Sequence, residues 1–356
     1  MHEARVLVVD DSAAMRALFS DLLDQAKDVV VVGTAANADE AREQIAQLRP
    51  NVLTLDVEMP GMSGIEFLEE IMESKPMPVV MLSSLTQSGT EVSLRAYELG
   101  AVECFPKPLK ATPEQFTKTV GQLGKIVLAA ANSNVKDARE RRKAAPAKPA
   151  ASAAAAPAFD WNGRVLALSA SMGGIDALTA LFSEFPADCP PTAVVLQAEH
   201  MVAEAFINRM SGQLACTITA AADGAALTQG TIHVAADPAH HMVLEAGTPP
   251  RLRLVARDPV DGARPSATLL YGTMARAGAP AVAAVLTGMG EDGAKGLKML
   301  KDAGAATFAQ DPGSATVGEA PAAAIAAGGV QQHLPLDQLA SALLSRCSAT
   351  GTWPPA

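Results

Sequence analysis

From residue 5 the chain alternates runs that are apolar on both faces with stretches of helical period. In order they read RVLVV, SAAMRALFSDLLDQ, DVVVVGTA, ADEAREQIAQL, NVLTLDV, GIEFLEEIM, PVVMLSS, EVSLRAYELGA, CFPKP and PEQFTKTVGQL. A strand that is apolar on both sides has no face to give to water, so it belongs inside a parallel sheet covered by helices on each side. Five βα units of this kind predict an α/β fold with a doubly wound parallel sheet. Such a sheet presents its polar chemistry at the carboxyl ends of the strands.

The alternation breaks around residues 132–158, where NSNVKDARERRKAAPAKPAASAAAAPA is first charged and then almost purely alanine and proline. Without periodic large apolar residues this stretch reads as an interdomain linker. Its KDARERRK segment mixes acids with bases, so it reads as a solvated helical extension with no site. Strand-like runs resume at RVLALSAS, TAVVLQAEH, TIHVAAD and AVAAVLTGMGEDG, with helical GIDALTALFSEF and AKGLKMLKDAG between or after them. A second doubly wound, mostly parallel sheet follows. A chain of 356 residues also exceeds one ordinary core. The expected division is 1–125, a linker over 126–160, and a second domain over 161–347.

Charge and composition exclude several classes. A formal charge of -10 argues against a nucleic-acid partner. MHEAR runs directly into VLVVDD, and no apolar run reaches the roughly 18 residues of a membrane span, so a cytoplasmic protein without membrane insertion is expected. Cys104, Cys189, Cys216 and Cys347 lack metal-ligand or disulfide spacing and read as idle thiols.

Asp10 and Asp11 end the first strand and Asp56 ends the third, which brings three carboxylates to one sheet edge. Such a cluster binds a cation or holds a proton, and Mg2+ suits it as a hard ion that takes few direct carboxylates and accepts phosphate oxygens. Lys107 in FPKP is placed to pair with phosphoryl oxygens, and Ser83 to donate a hydroxyl hydrogen bond. Together VLVVDDS, LDVEMPGMSG, VVMLSS and FPKP resemble the receiver domains of two-component response regulators, whose flavodoxin-like sheet has five parallel strands. The resemblance implies phosphoryl transfer from a histidine kinase to Asp56. It also implies Mg2+ held by Asp10, Asp11, Asp56 and the backbone carbonyl of Glu58, and a cis Lys107–Pro108 peptide. Cys104 stands where many receivers carry an aromatic that turns inward when the hydroxyl residue, here Ser83, engages phosphate.

In the second half, LALSASMGG places Ser171 in a glycine-flanked turn between a strand and a helix, beside helix N-terminal N–H groups. The pattern is not the GxSxG elbow, since no glycine precedes Ser171 by two residues. His200, at the end of VVLQAEH, is a candidate base or a structural histidine. Asp292, in LTGMGEDG, is a candidate orienting acid or a helix N-cap. A serine, a histidine and an acid at three strand ends of one sheet suit nucleophilic acyl transfer.

SASMGG, EHM, HVAADPAHHM, ARPS, LTGMGEDGAKG and AAGGV resemble, in order, the catalytic domain of the chemotaxis methylesterases. That resemblance implies hydrolysis of glutamate γ-methyl esters on chemoreceptor helices, with release of methanol, and deamidation of receptor glutamines. In it Ser171 is the nucleophile, His200 the base and Asp292 the acid. Met172 supplies an amide to the oxyanion, His241 and Met289 are secondary cleft residues, and the esterase half needs no cofactor. The sequence departs from the family at Ser169, Met172, Glu199, Glu291, Thr268 and the GEAP segment, which bear on the cleft. The rival reading is a weakened paralogue acting as a receptor-binding regulator or phosphate sink.

Overall fold

The computed structural model describes residues 2–83, 87–107, 113–135 and 158–354. Two units separate, Met1–Ala144 and Ala145–Ala356. In the first, the elements run β1 (Ala4–Val9), α1 (Ala13–Leu23), β2 (Val29–Ala35), α2 (Ala38–Leu48), β3 (Val52–Asp56), α3 (Gly64–Ser74), β4 (Val79–Ser83), α4 (Gln87–Leu99), β5 (Glu103–Pro106) and α5 (Pro113–Ala131). All neighbours in the sheet are parallel, in the order β2-β1-β3-β4-β5. Every residue of β3 and β4 is buried, as expected for strands covered on both faces.

The order reverses between β1 and β3, so the segments leaving these strands diverge to opposite faces and open a crevice at their carboxyl ends. Gly64 is required there: a β-carbon on it would lie 1.8 Å from the Asp56 carbonyl oxygen. Helix α3 starts against that strand end, under a capping box in which Ser63 and Glu66 satisfy each other's backbone N–H groups.

The second unit runs β6 (Val165–Ala170), α6 (Gly174–Phe182), β7 (Thr192–Leu196), α7 (His200–Ser211), β8 (Thr217–Ala220), β9 (Thr231–Ala235), β10 (His241–Glu245), β11 (Arg251–Val255), α8 (Ala267–Arg276), β12 (Ala281–Val285), α9 (Ala294–Asp302), β13 (Ala306–Gln310), α10 (Glu319–Ala326), β14 (Gln332–Leu334) and α11 (Leu336–Cys347). Seven parallel strands form the sheet β14-β13-β12-β6-β7-β9-β8, while β10 and β11 pair as an antiparallel ribbon. The reversal here falls between β6 and β12.

On one face the small side chains of Ala167, Ala193 and Ala283 leave room for Leu270, Tyr271, Met274, Leu297 and Leu300 of α8 and α9, all fully buried. Each such leucine contributes about 2 kcal/mol through removal of apolar surface from water. The buried Tyr271 hydroxyl donates to the Ala284 carbonyl at 2.8 Å, so it leaves no unmet polar group in the core.

The edges of the units differ from the expected ones. Helix α5 continues past residue 125 to Ala131, with Val127 and Ala130 buried. Phe159 lies in the stretch read as linker, yet it is buried against Trp353 with ring centroids 4.9 Å apart. Asn162 N donates to the Cys347 carbonyl at 2.9 Å, which ties the start of this unit to its end. The alanine-rich composition hid these anchors because single large apolar residues carry no period.

At β5 the place expected of an aromatic holds Cys104, buried, and an aromatic arrives instead from α4 as Tyr97, whose hydroxyl donates to the Glu103 carboxylate. Burial pushes Glu103 up to about 7, against the stabilising Tyr97 hydroxyl and Cys104 N–H. A carboxyl raised in the folded state favours folding fully at low pH, and that contribution fades as pH rises through about 7. The receiver's unfolding transition in the full chain is therefore expected at lower temperature at pH 8 than at pH 5. Glu103→Gln should flatten this difference, as followed by circular dichroism; an unchanged pH profile in the variant would refute it.

Candidate active site and phosphorylation site

The crevice of the first unit gathers carboxylates. Asp10 and Asp56 are buried and Asp11 is exposed, and one oxygen from each lies within 4.8 Å of the others. Lys107 Nζ lies 2.8 Å from Asp10 Oδ2 and 2.8 Å from Asp56 Oδ1. Asp10 Oδ1 also accepts from Ser12 N at 2.9 Å, and Asp56 Oδ1 from Glu58 N at 3.2 Å.

Burial raises the Asp56 carboxyl above its ordinary range, although the Lys107 ammonium draws it back. Burial alone would lower Lys107, but its hydrogen bonds to Asp10 and Asp56 hold it above the usual lysine value. One ammonium thus faces three carboxylates, an all-oxygen set with charge left over, which fits a hard divalent cation. Ser83 is buried at the same edge, and its carbonyl accepts from Lys107 N at 2.8 Å. Glu58 meets Asp56 through its N–H. The Lys107–Pro108 peptide lies outside the described residues.

In the second unit Ser171 leaves the end of β6 at the strand-order reversal. Its N–H donates to the Thr287 carbonyl at 3.1 Å, and its own carbonyl accepts from Gly174 N at 2.7 Å. These bonds fix the turn, and Gly173 enters it in the left-handed region with φ 75°. The Ser171 hydroxyl accepts a hydrogen bond from Met289 N at 3.1 Å. Gly288 makes this approach possible, since a β-carbon there would sit 2.2 Å from Ser171 Oγ.

Met172 is buried, and its carbonyl accepts from the Thr287 hydroxyl at 2.9 Å. Sequence reasoning missed Thr287, which ties the Ser171 turn to the loop after β12 and also accepts from Val317 N at 2.9 Å. Its place two residues past a buried strand was the available signal.

Ser171, Gln197, Met289 and Asp292 line one narrow pocket. Asp292 is held by four donors: Gln197 Nε2 and Ala267 N at Oδ2, both 2.7 Å, and Ser266 Oγ at 2.7 Å and Thr268 N at 3.0 Å at Oδ1. The carboxylate therefore sits on the N-terminus of α8, where N–H groups and the helix dipole favour an anion.

His200 differs from its expected setting. Strand β7 stops at Leu196, and His200 is instead the first residue of α7. Its Nε2 lies 3.4 Å from Glu204 Oε1, one turn along the helix, and its buried Nδ1 has no hydrogen-bond partner among the described residues. No hydrogen bond joins His200 to Ser171 or Asp292 among those residues; Gln197 takes the position beside Asp292. Glu199, one of the departures that bear on the cleft, caps its own helix by accepting from Val202 N at 3.1 Å.

His241 opens β10 and is fully buried, with Nε2 3.0 Å from the Asp258 carbonyl and Nδ1 3.2 Å from Ser266 N. His233 lies in β9, and His240 in the following loop pairs with Asp237 at 2.7 Å.

Comparison with known proteins matches residues 166–343 to the CheB methylesterase family and residues 6–120 to the response regulator receiver domain. A protein-glutamate methylesterase/protein-glutamine glutaminase 1 of Caulobacter vibrioides is 42% identical over 354 residues, 98% of this chain and 99% of that protein. A protein-glutamate methylesterase/protein-glutamine glutaminase of Agrobacterium fabrum is 42% identical over 350 residues, 97% of each chain. Identity at this level across both units, with the receiver crevice and the Ser171 pocket each in place, fixes the relationship: the chain belongs to the protein-glutamate methylesterase/protein-glutamine glutaminase family, with a receiver domain ahead of a CheB methylesterase domain.

Proposed function

We propose that this chain hydrolyses glutamate γ-methyl esters on the cytoplasmic helices of chemoreceptors, deamidates receptor glutamines, and is activated by phosphorylation of Asp56. The observation that carries the esterase reading is the Ser171 hydroxyl at a strand-order reversal, with the Met289 N–H on its oxygen and Asp292 in the same pocket. This geometry favours the enzyme over a regulator that only binds receptors.

Ser171 Oγ attacks the ester carbonyl, and His200 takes its proton. The developing oxyanion is met by backbone N–H groups, Met289 and Met172, each worth about 3 kcal/mol at comparable sites. His200 then protonates the leaving methoxide to methanol, or the amide nitrogen to ammonia for a glutamine. Water, deprotonated by His200, releases the glutamate from Ser171.

For His200 to act, its ring turns from Glu204. Their contact is half exposed and long, and so costs little to break. The Asp292 carboxylate, oriented by its four donors, stabilises the imidazolium, and His241 and Met289 shape the cleft.

In the receiver, Asp56 is the phosphoacceptor, and Asp10, Asp11, Asp56 and the Glu58 carbonyl would hold Mg2+. When bound, the ion offsets charge on the phosphoryl oxygens. Lys107 would give up its contact with Asp56 to pair with those oxygens, and the Ser83 hydroxyl would donate to them. The phosphodonor is a histidine kinase of the chemotaxis pathway. No described helix is long and apolar enough to cross a membrane, and we place the protein in the cytoplasm.

Ser171→Ala should lower methanol release from methylated receptors by at least about 1000-fold, with or without a small phosphodonor. Asp56→Ala should keep basal release and lose the phosphodonor response. Undiminished release from Ser171→Ala would sink the esterase assignment, and a retained response in Asp56→Ala would sink the phosphoacceptor. Gly288→Ala should cut kcat about 100-fold, because its β-carbon displaces the Ser171 hydroxyl. A well-folded Gly288→Ala with native kcat would contradict that reading.

A further inference from the structure

The segment 266–268 supplies three of the four groups that hold Asp292: the Ser266 hydroxyl and the Ala267 and Thr268 N–H groups. These donors move together, because they belong to consecutive residues at the N-terminus of α8. The first N–H of the segment, on Ser266, points the other way and is held by His241 Nδ1 at 3.2 Å.

We infer that His241 is the positioning residue for the Asp292 carboxylate, acting through Ser266 and so through the donors at the start of α8. This inference rests on the reading that Asp292 serves the esterase site.

The chemistry of the two ring contacts leaves a single arrangement. A backbone N–H only donates, so Nδ1 facing Ser266 carries a lone pair. A backbone carbonyl only accepts, so Nε2 facing Asp258 at 3.0 Å carries the proton. The ring is thus a neutral imidazole in one tautomer that bridges the loop after β11 to the first residue before α8.

Both His241 and Ser266 are 0% exposed, so water has no ready route to replace either partner. The Ser266 hydroxyl has two duties: it donates to Asp292 and accepts from Leu269 N at 3.3 Å as the cap of α8. With its N–H fixed by His241, the hydroxyl has one rotamer that serves both. Loss of the Nδ1 acceptor leaves a buried N–H unmet, and the relief is a shift of Ser266 that carries the donors to Asp292 with it.

Two near-isosteric variants separate this role from simple filling of space. In His241→Asn the side-chain oxygen lies close to the former Nδ1 and can accept from Ser266. In His241→Gln the terminal amide lies near the former Nε2 and can donate to Asp258, but the acceptor for Ser266 is lost. With methanol release from methylated receptors as the assay, His241→Gln is expected to lose 10- to 100-fold in kcat with KM changed less than about twofold, as for supporting residues elsewhere. His241→Asn should restore kcat to within a few-fold.

Equal losses in the two folded variants, or a loss confined to KM, would overturn the inference. If both variants fail to fold, nitrogen NMR of the imidazole in the unaltered full chain decides. A protonated Nε2 with a bare Nδ1 supports the bridge, and a protonated Nδ1 overturns it. Ser171→Ala is measured alongside: if it stays active, the esterase reading itself falls. If it is inactive while the Asn and Gln variants match, only the role of His241 falls.

Discussion

A parallel sheet buried on both faces leaves little room for charged side chains along its central strands, and this exclusion organises both halves of the chain. Charged and nucleophilic groups are pressed to the carboxyl ends of the strands, and strand-order reversal decides which ends share a crevice. In the receiver the reversal joins the ends of β1 and β3, hence Asp10 and Asp56. In the esterase it joins the ends of β6 and β12, hence Ser171, Thr287 and Asp292. The same device, used twice, yields a carboxylate cluster in one unit and a nucleophile with backbone donors in the other.

The two sites meet the problem of charge differently. The receiver crevice packs acids closely and offsets them with one lysine, so its arrangement is poised for additional positive charge. The Asp292 carboxylate is instead satisfied by dipoles: two helix N–H groups, a hydroxyl and an amide. Neutral donors orient a carboxylate without placing a counter-charge on it, which is compatible with the part proposed for Asp292.

Much of this was legible in the sequence, for an identifiable reason. Asp10, Asp56, Lys107 and Ser171 stand at the ends of apolar runs, so counting strands was enough to bring them to the correct edges. The absence of a contact between His200 and Asp292 was not legible. It depends on where β7 ends, and Leu196, Gln197 and Ala198 give no hint that the strand stops before the histidine. Gln197 then fills the space that a strand-end imidazole was expected to take. Boundaries were obscure too: Val127 and Phe159 are anchored by tertiary packing, which single apolar residues do not announce.

The contact between Met289 and Ser171 is made by a backbone N–H, across a residue that must be glycine. A main-chain donor is present whatever side chain the position bears, proline excepted. The side chain at 289 is thus free to drift, and its identity says little about whether the contact to Ser171 survives. Gly288, which has no side chain to inspect, is the more telling witness. Among related sequences, a lost glycine at this point would mark a silenced esterase more reliably than any change in the methionine beside it.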